Sequence, residues 1–363
     1  MAMRMQRAAV ASSPEVEAAA EELLRKGNAL DGAIAGVFAA CAISPGVLLG
    51  PIQILLGGGG SGLRAFDGRI RQPGIGAPRP RGFQADEEVP DAARVGVPWL
   101  PATLSVALAT AGTATFAQVM APSLALAKGS PRHEVLVKIA QRGPRAIEER
   151  PLSGELLALA GRTSGGLLTS DDLSSQRPEV HPASRHLLRT SGEVAASRAP
   201  RTRSTKKGSE SEEPLPRSVI ALPWATDDGG VPVPPAAPVT IATARAVATV
   251  DRNGSFAIAC WDEGVEGLVI GELGLRAPFF AQPVMRGETR VRPGDARPAA
   301  APIALVGTEA GPEFAFAAFG AADAYSVLGG AIRSVIEDDR IEAHGGARLV
   351  AVSHLLGTAS VFR

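Results

Sequence analysis

The sequence is poor in cysteine and in aromatic residues, and neither sign of charge dominates it. Two cysteines among 363 residues cannot form a disulfide framework. Aromatic residues make up 4% of the chain, which disfavours the stacking surfaces that bind single-stranded nucleic acid. Basic and acidic residues number 37 each, so no net charge attracts nucleic acid or an anionic membrane. We therefore expect no nucleic-acid partner.

The two cysteines have the sequence surroundings of small buried hydrophobic residues. Cys41 lies in an apolar stretch with helical spacing, and Cys260 lies in a strand-like run. Free cysteine is among the most buried residue types and packs as a small apolar side chain. A disulfide between the two stays open on the sequence alone.

An export signal is not evident at the start of the chain. Met1–Ser13 contains Arg4 and Arg7, but no apolar run of signal-peptide length follows them. The sequence therefore predicts a cytoplasmic protein.

One long uncharged stretch, Gly32–Leu63, raises the question of a membrane span. Its length alone would satisfy the roughly 20 residues that a spanning helix needs. However, Pro45 and Pro51 interrupt it, and the glycine run Gly57–Gly60 breaks its end. A buried helix, a loop and a central strand explain the pattern better, so we expect no membrane span.

The histidines do not form a metal-binding pattern. His181 and His186 are five residues apart, which misses the spacing that puts two ligands on one face of a helix, and Pro182 disfavours a helix there. The glycine run Gly57–Gly60 lacks the lysine and the hydroxyl of a phosphate-binding loop. We expect neither a metal nor another cofactor.

Composition divides the chain into two globular parts and a linker. Residues 1–190 and 240–363 carry the apolar segments, and hydrophobic residues make up 45% of the whole chain. Residues 191–239 include Ser191–Pro216, which mixes serine with both signs of charge, and the proline-rich Asp227–Pro238. This composition is typical of a flexible solvated linker and not of a nucleic-acid patch. We expect the two parts to interleave in one domain, with a precursor's cleavage site in the linker.

The N-terminal segments have a recognisable order. Helical spacing over Glu15–Leu24 ends at Arg25–Asn28, and an almost uncharged helix is predicted over Ala29–Ile43. The glycine run in Leu56–Gly60 and the turn Gly96–Pro98 follow. In this order the segments resemble the γ-glutamyltranspeptidase family, although typical members are considerably longer. The resemblance implies an α/β protein with the four-layer αββα fold of N-terminal-nucleophile (Ntn) hydrolases, in which two mostly antiparallel sheets lie between helices.

The resemblance also implies a nucleophile at a defined place. In this family a precursor cleaves itself before a threonine, whose hydroxyl attacks a γ-glutamyl amide while its freed amine acts as the base. Thr249–Gly254 matches the hairpin that follows, and counting back from it places the nucleophile on Ala244. Thr243 lies one residue earlier and Thr240 three before that. We take both as candidate catalytic residues of a hydrolase or transferase that acts on small-molecule γ-glutamyl or related amides, with the cleaved fragments as a heterodimer.

The substrate-binding positions of the family are altered in this chain. Met285 matches the methionine before an acidic pair that holds the substrate ammonium, but Arg286 follows it. Ala299–Ala301 stands where hydroxyls bind the substrate carboxylate, and Asp323 stands beside the expected oxyanion donors. Arg71 is the nearest substitute for the family's carboxylate-binding arginine. We therefore expect a substrate other than ordinary glutathione.

A second hypothesis stays open beside the enzyme. Because several substrate positions are altered, the chain is also consistent with a catalytically inactive relative that keeps the fold as a binding or partner subunit. The first hypothesis predicts a self-cleaved protein, and the second predicts an uncut one.

Overall fold

The computed structural model describes residues 6–187, 217, 219–223 and 241–363. In this part of the chain two six-stranded sheets face each other, and helices cover their outer faces. Apolar side chains fill the three spaces between the four layers. The α/β class and the αββα layer order predicted from the sequence are therefore confirmed.

The two N-terminal helices begin where side chains cap them. Helix α1 (Pro14–Leu24) starts after Ser13, whose Oγ accepts a backbone N–H of the first turn at 3.4 Å. Helix α2 (Ala29–Ile43) starts after Asn28, which exchanges hydrogen bonds with Asp31 in a capping box. Helix α2 is buried on nearly every side, as expected for a helix of alanine and branched residues.

Five more helices complete this outer layer. They are α3 (Leu100–Ala111), α4 (Phe116–Ala127), α5 (Arg132–Arg142), α6 (Leu152–Ala160) and α7 (Ser170–Ser174). Thr169 caps α7, because its Oγ1 accepts the N–H of Asp172 at 3.1 Å.

The strands come from all parts of the described chain. In chain order they are β1 (Ala8–Ala11), β2 (Ile52–Gly57), β3 (Arg64–Gly68), β4 (Glu179–Pro182), β5 (Ser184–Leu187), β6 (Val219–Leu222), β7 (Ala244–Val250), β8 (Phe256–Asp262), β9 (Gly267–Ile270), β10 (Leu275–Pro278), β11 (Ile303–Thr308), β12 (Gly311–Phe319), β13 (Arg348–Leu355) and β14 (Thr358–Phe362). Strands β9 and β10 form a separate two-stranded ribbon.

The first sheet has the strand order β1-β7-β8-β2-β3-β4, and its pairs are antiparallel. Its centre is the hairpin of β7 and β8 that the sequence predicts. The hairpin register pairs Val250 with Phe256 at the turn and Ala244 with Asp262 at the open end. One face of this sheet packs on the helical layer, and the other faces the second sheet.

The second sheet has the order β14-β13-β12-β11-β6-β5 and is also antiparallel. Its outer face is covered by α8 (Ala324–Asp338), whose Val327, Leu328, Ile332 and Val335 are buried against it. Strands β11 and β12 form a hairpin that pairs Thr308 with Gly311 at its turn.

The predicted linker differs from the structure over one short segment. Val219–Leu222 lies within residues 191–239, yet it forms the buried strand β6 between β5 and β11. All four side chains are apolar, so burying them in a sheet is favourable. Residues 191–216, 218 and 224–239 of the predicted linker lie outside the described residues.

The uncharged stretch after α1 forms part of the core. It supplies most of α2, a loop and the central strand β2, all of them largely buried. None of the helices in the described part is long and apolar enough to cross a membrane. Both cysteines are buried and free, as small apolar side chains would be.

Candidate active site

Thr243 immediately precedes β7, one of the two central strands of the first sheet. It ends the short helical turn Ile241–Thr243, and β7 begins at the next residue. Its side chain is half-buried. Glu263 donates its backbone N–H to the carbonyl oxygen of Thr243 at 3.1 Å, which ties the turn to the end of β8. The other threonine predicted from the sequence, Thr240, lies outside the described residues.

A buried carboxylate contacts the hydroxyl of Thr243. Oγ1 of Thr243 donates a hydrogen bond to Oδ2 of Asp262 at 2.6 Å. Asp262 ends β8, and side-chain alternation puts it on the same face as Ile258 and Cys260, toward the second sheet. It is 6% exposed, and its Oδ1 accepts the N–H of Gly264 at 2.7 Å. The carboxylate and the hydroxyl are therefore held in one geometry.

The surroundings of Asp262 act on its pKa in opposite directions. Burial raises the pKa of this carboxyl above the ordinary value, and it outweighs the hydrogen bonds from Thr243 and Gly264 and the positive charge of Arg245. A buried carboxylate beside a hydroxyl is an arrangement in which the carboxylate accepts the hydroxyl proton as the oxygen attacks.

Arg245 binds the backbone on both sides of Thr243. Its Nη1 donates to the carbonyl oxygen of Ala242 at 2.9 Å and to that of Ala244 at 2.8 Å. Its Nη2 forms an ion pair with Glu263 at 2.7 Å. The guanidinium is thereby held at the carbonyl oxygen of the peptide bond that joins Ala242 to Thr243.

Ala244 occupies the position that the family resemblance assigns to the nucleophile. It is the first residue of β7, is fully buried and packs in the core between the two sheets. It offers no hydroxyl, so in this part of the strand the adjacent Thr243 supplies the only alcohol within one residue of that position.

Cys260 is close in sequence but is not suited to be a nucleophile. It is fully buried two residues before Asp262, and its Sγ donates to the carbonyl oxygen of Ala300 at 3.7 Å. Burial and the negative charge of Asp262 raise the pKa of the thiol, which keeps it protonated at neutral pH.

Arg71 lies at the same end of the strands of the first sheet as Thr243, but the two residues are not in contact. It follows β3, which is three strands away from β7, or about 14 Å at the usual strand spacing. Its guanidinium binds Asp67 at 3.1 Å and stacks on Trp99 at 4.1 Å from the ring centre. The side chain is 7% exposed, and Arg69 shares the same carboxylate.

Two of the positions that the family resemblance assigns to substrate binding, Ala301 and Asp323, form hydrogen bonds within the protein. The N–H of Ala301 donates to the hydroxyl oxygen of Tyr325 at 3.0 Å, and burial raises the pKa of that phenol. Asp323 precedes α8 and accepts the N–H of Gly346 at 2.6 Å. Among the described residues no group of three or more His, Cys, Asp or Glu is placed to hold a metal.

Sequence reasoning missed Asp262 and Arg245, although one signal could have found the first. Extending the predicted hairpin outward from its turn pairs the start of β7 with position 262, so a carboxylate is expected opposite the candidate nucleophile. No comparable signal points to Arg245, because its contacts depend on how the turn before β7 folds back.

Comparison with known proteins supports the fold. No family model matches the chain, and no curated protein matches it. A cephalosporin acylase from Bacillus halodurans matches with 13% identity and a TM-score of 0.68, over 99% of this chain and 96% of that one. A structure described as LmbA2991HD matches with the same identity and TM-score, over 99% and 97%.

A γ-glutamyltranspeptidase from Pseudomonas nitroreducens matches over a smaller part, 49% of this chain and 67% of that one, with 21% identity and a TM-score of 0.41. The full-length matches thus show which fold this is, at an identity too low to show an activity. The chain has the four-layer αββα fold of the N-terminal-nucleophile hydrolases.

Proposed function

We propose that the protein is an autoprocessed amidohydrolase or acyltransferase that uses Thr243 as its nucleophile on γ-glutamyl or related amides. The observation that carries this proposal is the hydrogen bond of 2.6 Å between the hydroxyl of Thr243 and the buried carboxylate of Asp262, at the start of a central strand. The likeness to a cephalosporin acylase adds support, because an acylase acts on an acyl bond, as proposed here.

The proposed reaction uses both groups of a newly exposed N-terminal residue. After cleavage before Thr243, the hydroxyl oxygen attacks the amide carbonyl carbon, and the free α-amine takes the hydroxyl proton and passes it to the leaving amine. Water then hydrolyses the ester on Oγ1 and restores the hydroxyl, or an acceptor amine takes the acyl group. Asp262 orients the hydroxyl through its hydrogen bond.

We further propose that the substrate carries a carboxylate and that Arg71 binds it. Arg71 lies at the sheet edge that also holds Thr243, and its Nε is buried without a hydrogen-bond partner among the described residues. Arg69, at 36% exposure, brings a second positive charge within reach of solvent. We expect Arg71→Met to raise KM for a γ-glutamyl anilide at least tenfold, and to raise it less for an uncharged acyl anilide.

The matched control for this substitution is Arg94→Met, which removes an exposed arginine whose partner is Asp91 at 3.7 Å. It should leave both KM values unchanged. Equal effects of Arg71→Met on the two substrates, together with lower stability, would instead assign Arg71 to holding Asp67 and Trp99 in place.

A second candidate function is a non-catalytic binding or partner subunit with the same fold. The observation that favours it is Ala244, an alanine buried at the strand start where the resembled family has its nucleophile. This candidate requires that the peptide bond before Thr243 stays intact. It also requires that the purified protein hydrolyses no γ-glutamyl anilide.

Denaturing electrophoresis and N-terminal sequencing separate the two candidates. The enzyme should run as two fragments, the smaller of which begins at Thr243. Thr243→Ala should abolish both the cut and the anilide hydrolysis, and Thr243→Ser should retain part of each because it keeps a hydroxyl. Thr240→Ala should leave both unchanged, since the proposal places the cut three residues later. A single full-length band after long incubation supports the non-catalytic candidate.

A further inference from the structure

We propose that Arg245 and Asp262 form a self-cleavage centre for the peptide bond between Ala242 and Thr243, with Asp262 as the base and Arg245 as the cation that stabilises the oxyanion. This inference deepens the proposed function and depends on Thr243 being the nucleophile. It assigns to two further residues a task that is completed before any substrate binds.

Arg245 is placed to stabilise the oxyanion that forms during cleavage. Its Nη1 lies 2.9 Å from the carbonyl oxygen of Ala242, which belongs to the bond that must break. When the hydroxyl of Thr243 attacks that carbonyl carbon, negative charge develops on this oxygen. A donor already in place at hydrogen-bond distance stabilises the charge without further rearrangement.

Two further contacts hold the guanidinium in this position. Nη1 also binds the carbonyl oxygen of Ala244 at 2.8 Å, and Nη2 is paired with Glu263 at 2.7 Å. Because the arginine is anchored by a carboxylate and by two carbonyl groups, its orientation is set before the reaction. An arginine that served only as a surface ion pair would need neither carbonyl contact.

Asp262 is placed to act as the base for the hydroxyl of Thr243. Its Oδ2 accepts the hydroxyl proton of Thr243 at 2.6 Å, while its Oδ1 is held by the N–H of Gly264 at 2.7 Å. Before cleavage the nitrogen of Thr243 is an amide and cannot act as a base. A separate base is therefore needed at this stage, and Asp262 is already hydrogen-bonded to the reacting hydroxyl.

A backbone hydrogen bond also holds the turn before β7 at Thr243. The carbonyl oxygen of Thr243 accepts the N–H of Glu263 at 3.1 Å, so the backbone on the C-terminal side of the scissile bond cannot rotate freely. Hydroxyl, carbonyl and base are thereby kept near one another, which lowers the entropy lost in reaching the transition state.

The proposed step is balanced and consumes only water. A bond forms between Oγ1 of Thr243 and the carbonyl carbon of Ala242 as the hydroxyl proton moves to Asp262. The carbon–nitrogen bond then breaks, and the nitrogen takes the proton from Asp262 to become the free amine. Water hydrolyses the resulting ester, which leaves a carboxylate on Ala242 and returns the hydroxyl to Thr243.

The test measures how fast the full chain is converted into two fragments, by intact-mass spectrometry of freshly purified protein. We expect Arg245→Met to slow the cut by about 10²-fold or more, as loss of one oxyanion donor does in other enzymes. Asp262→Asn should slow it by a similar factor. Arg276→Met is the matched control, because Nη1 of Arg276 also binds a backbone carbonyl, that of Val265, but on the two-stranded ribbon.

The pH dependence of the cleavage rate distinguishes a catalytic role of Asp262 from a structural one. Cleavage of the natural protein should quicken as pH rises through the pKa of Asp262, because only the ionised carboxylate accepts a proton. The residual cleavage of Asp262→Asn should lack that step. Arg245→Lys, which keeps a positive charge, should cut at a rate between those of Arg245→Met and the natural protein. Thermal unfolding is recorded for each variant, and if Arg245→Met does not fold, a folded Arg245→Gln, which also removes the charge, decides.

The outcomes distinguish this inference from the proposed function. If the natural chain cuts before Thr243 while Arg245→Met and Asp262→Asn cut at its rate, the self-cleavage centre is overturned and the nucleophile stands. A folded Arg245→Gln that cuts at the natural rate, when Arg245→Met is unfolded, likewise overturns the role of the cation. If the natural chain never cuts, the proposed function and this inference fall together.

Discussion

At the scale of single residues, the carboxylate of Asp31 joins two parts of the helical layer. It is fully buried and accepts hydrogen bonds from the N–H of Asn28 at 2.8 Å, from the N–H and hydroxyl of Thr113 at 3.0 and 2.6 Å, and from the N–H of Ala114 at 3.1 Å. One side chain thus caps α2 and ties it to the segment that leads into α4.

We expect Asp31→Asn to lower the free energy of unfolding by about 3 kcal/mol, because the amide group turns a donor toward backbone N–H groups that lose their acceptor. Urea unfolding followed by circular dichroism measures the change. Asp171→Asn, an exposed change in α7, should cost about 0.5 kcal/mol or less. Similar losses in both variants would contradict the role given to Asp31.

A second residue-scale prediction concerns Asp67 and acid. Burial raises the pKa of Asp67, but hydrogen bonding to Arg69 and the charges of Arg69 and Arg71 outweigh it, so the pKa lies below the ordinary 3.8. A carboxyl whose pKa is lower in the folded protein than in the unfolded chain stabilises the folded state at pH values above its pKa in the unfolded chain. That contribution is lost as pH falls below about 3.8 and through the lower folded value.

The stability of the natural protein should therefore decline more steeply below about pH 4 than that of Asp67→Asn. At neutral pH the variant should already be less stable by about 2 kcal/mol, since the buried guanidinium of Arg71 loses its partner. Urea midpoints measured from pH 3 to pH 7 give both quantities. Equal slopes for the two proteins on the acid side would refute the assignment.

At the scale of elements, the loop after α2 packs directly against the turn that follows Asp262. A Cβ on Gly46 would lie 2.3 Å from the carbonyl oxygen of Glu263 and 2.4 Å from that of Gly264. Gly264 itself has φ of +58°, and its N–H holds the carboxylate of Asp262. The close approach of two glycines therefore supports the geometry of the candidate active site.

We expect Gly46→Ala to lower stability by about 2 kcal/mol and to slow cleavage before Thr243, because the added methyl must displace the backbone of the turn. Gly330→Ala is the matched control, since a Cβ there meets nothing within 4 Å in α8. It should leave cleavage unchanged and raise stability by up to about 1 kcal/mol, through its helix propensity. Chemical unfolding and the fragment assay test both variants.

Elements with strong local signals were predictable from the sequence. Apolar spacing marked α1, an almost uncharged run marked α2, and the motif Thr249–Gly254 marked the hairpin of β7 and β8. Strand β6 was not predicted, because four apolar residues inside a charged and proline-rich stretch carry no periodicity. Its strand form comes from neighbours on both sides, β5 and β11, that are distant in the chain.

The candidate site was predictable only in part, for the same reason. Thr243 was found because it stands next to a motif position that can be counted along the chain. Asp262 required the register of the hairpin, and Arg245 required the fold of the turn at Ile241–Thr243. Asp262 could be found by counting outward from the hairpin turn, whereas the contacts of Arg245, which depend on a single turn, have no signature in composition or spacing.

At the scale of the whole molecule, a cut before Thr243 would leave both sheets shared between the fragments. In the first sheet β7 lies between β1 and β8, and β8 pairs with β2. In the second sheet β11 pairs with β6, which precedes the cut. The core between the sheets likewise contains apolar side chains from both sides of the cut. Separation would expose this core and leave six strands, β1, β7, β8, β2, β11 and β6, without a neighbour that they pair with.

We therefore expect the cut protein to remain one body. In native buffer both fragments should elute together in size-exclusion chromatography, at the volume of uncut Thr243→Ala, and should separate only in denaturant. Dilution from denaturant should restore less hydrolysis than the natural protein shows, because pairing between separate chains costs association entropy that the intact precursor did not lose. A smaller fragment that elutes alone in native buffer would contradict the shared sheets.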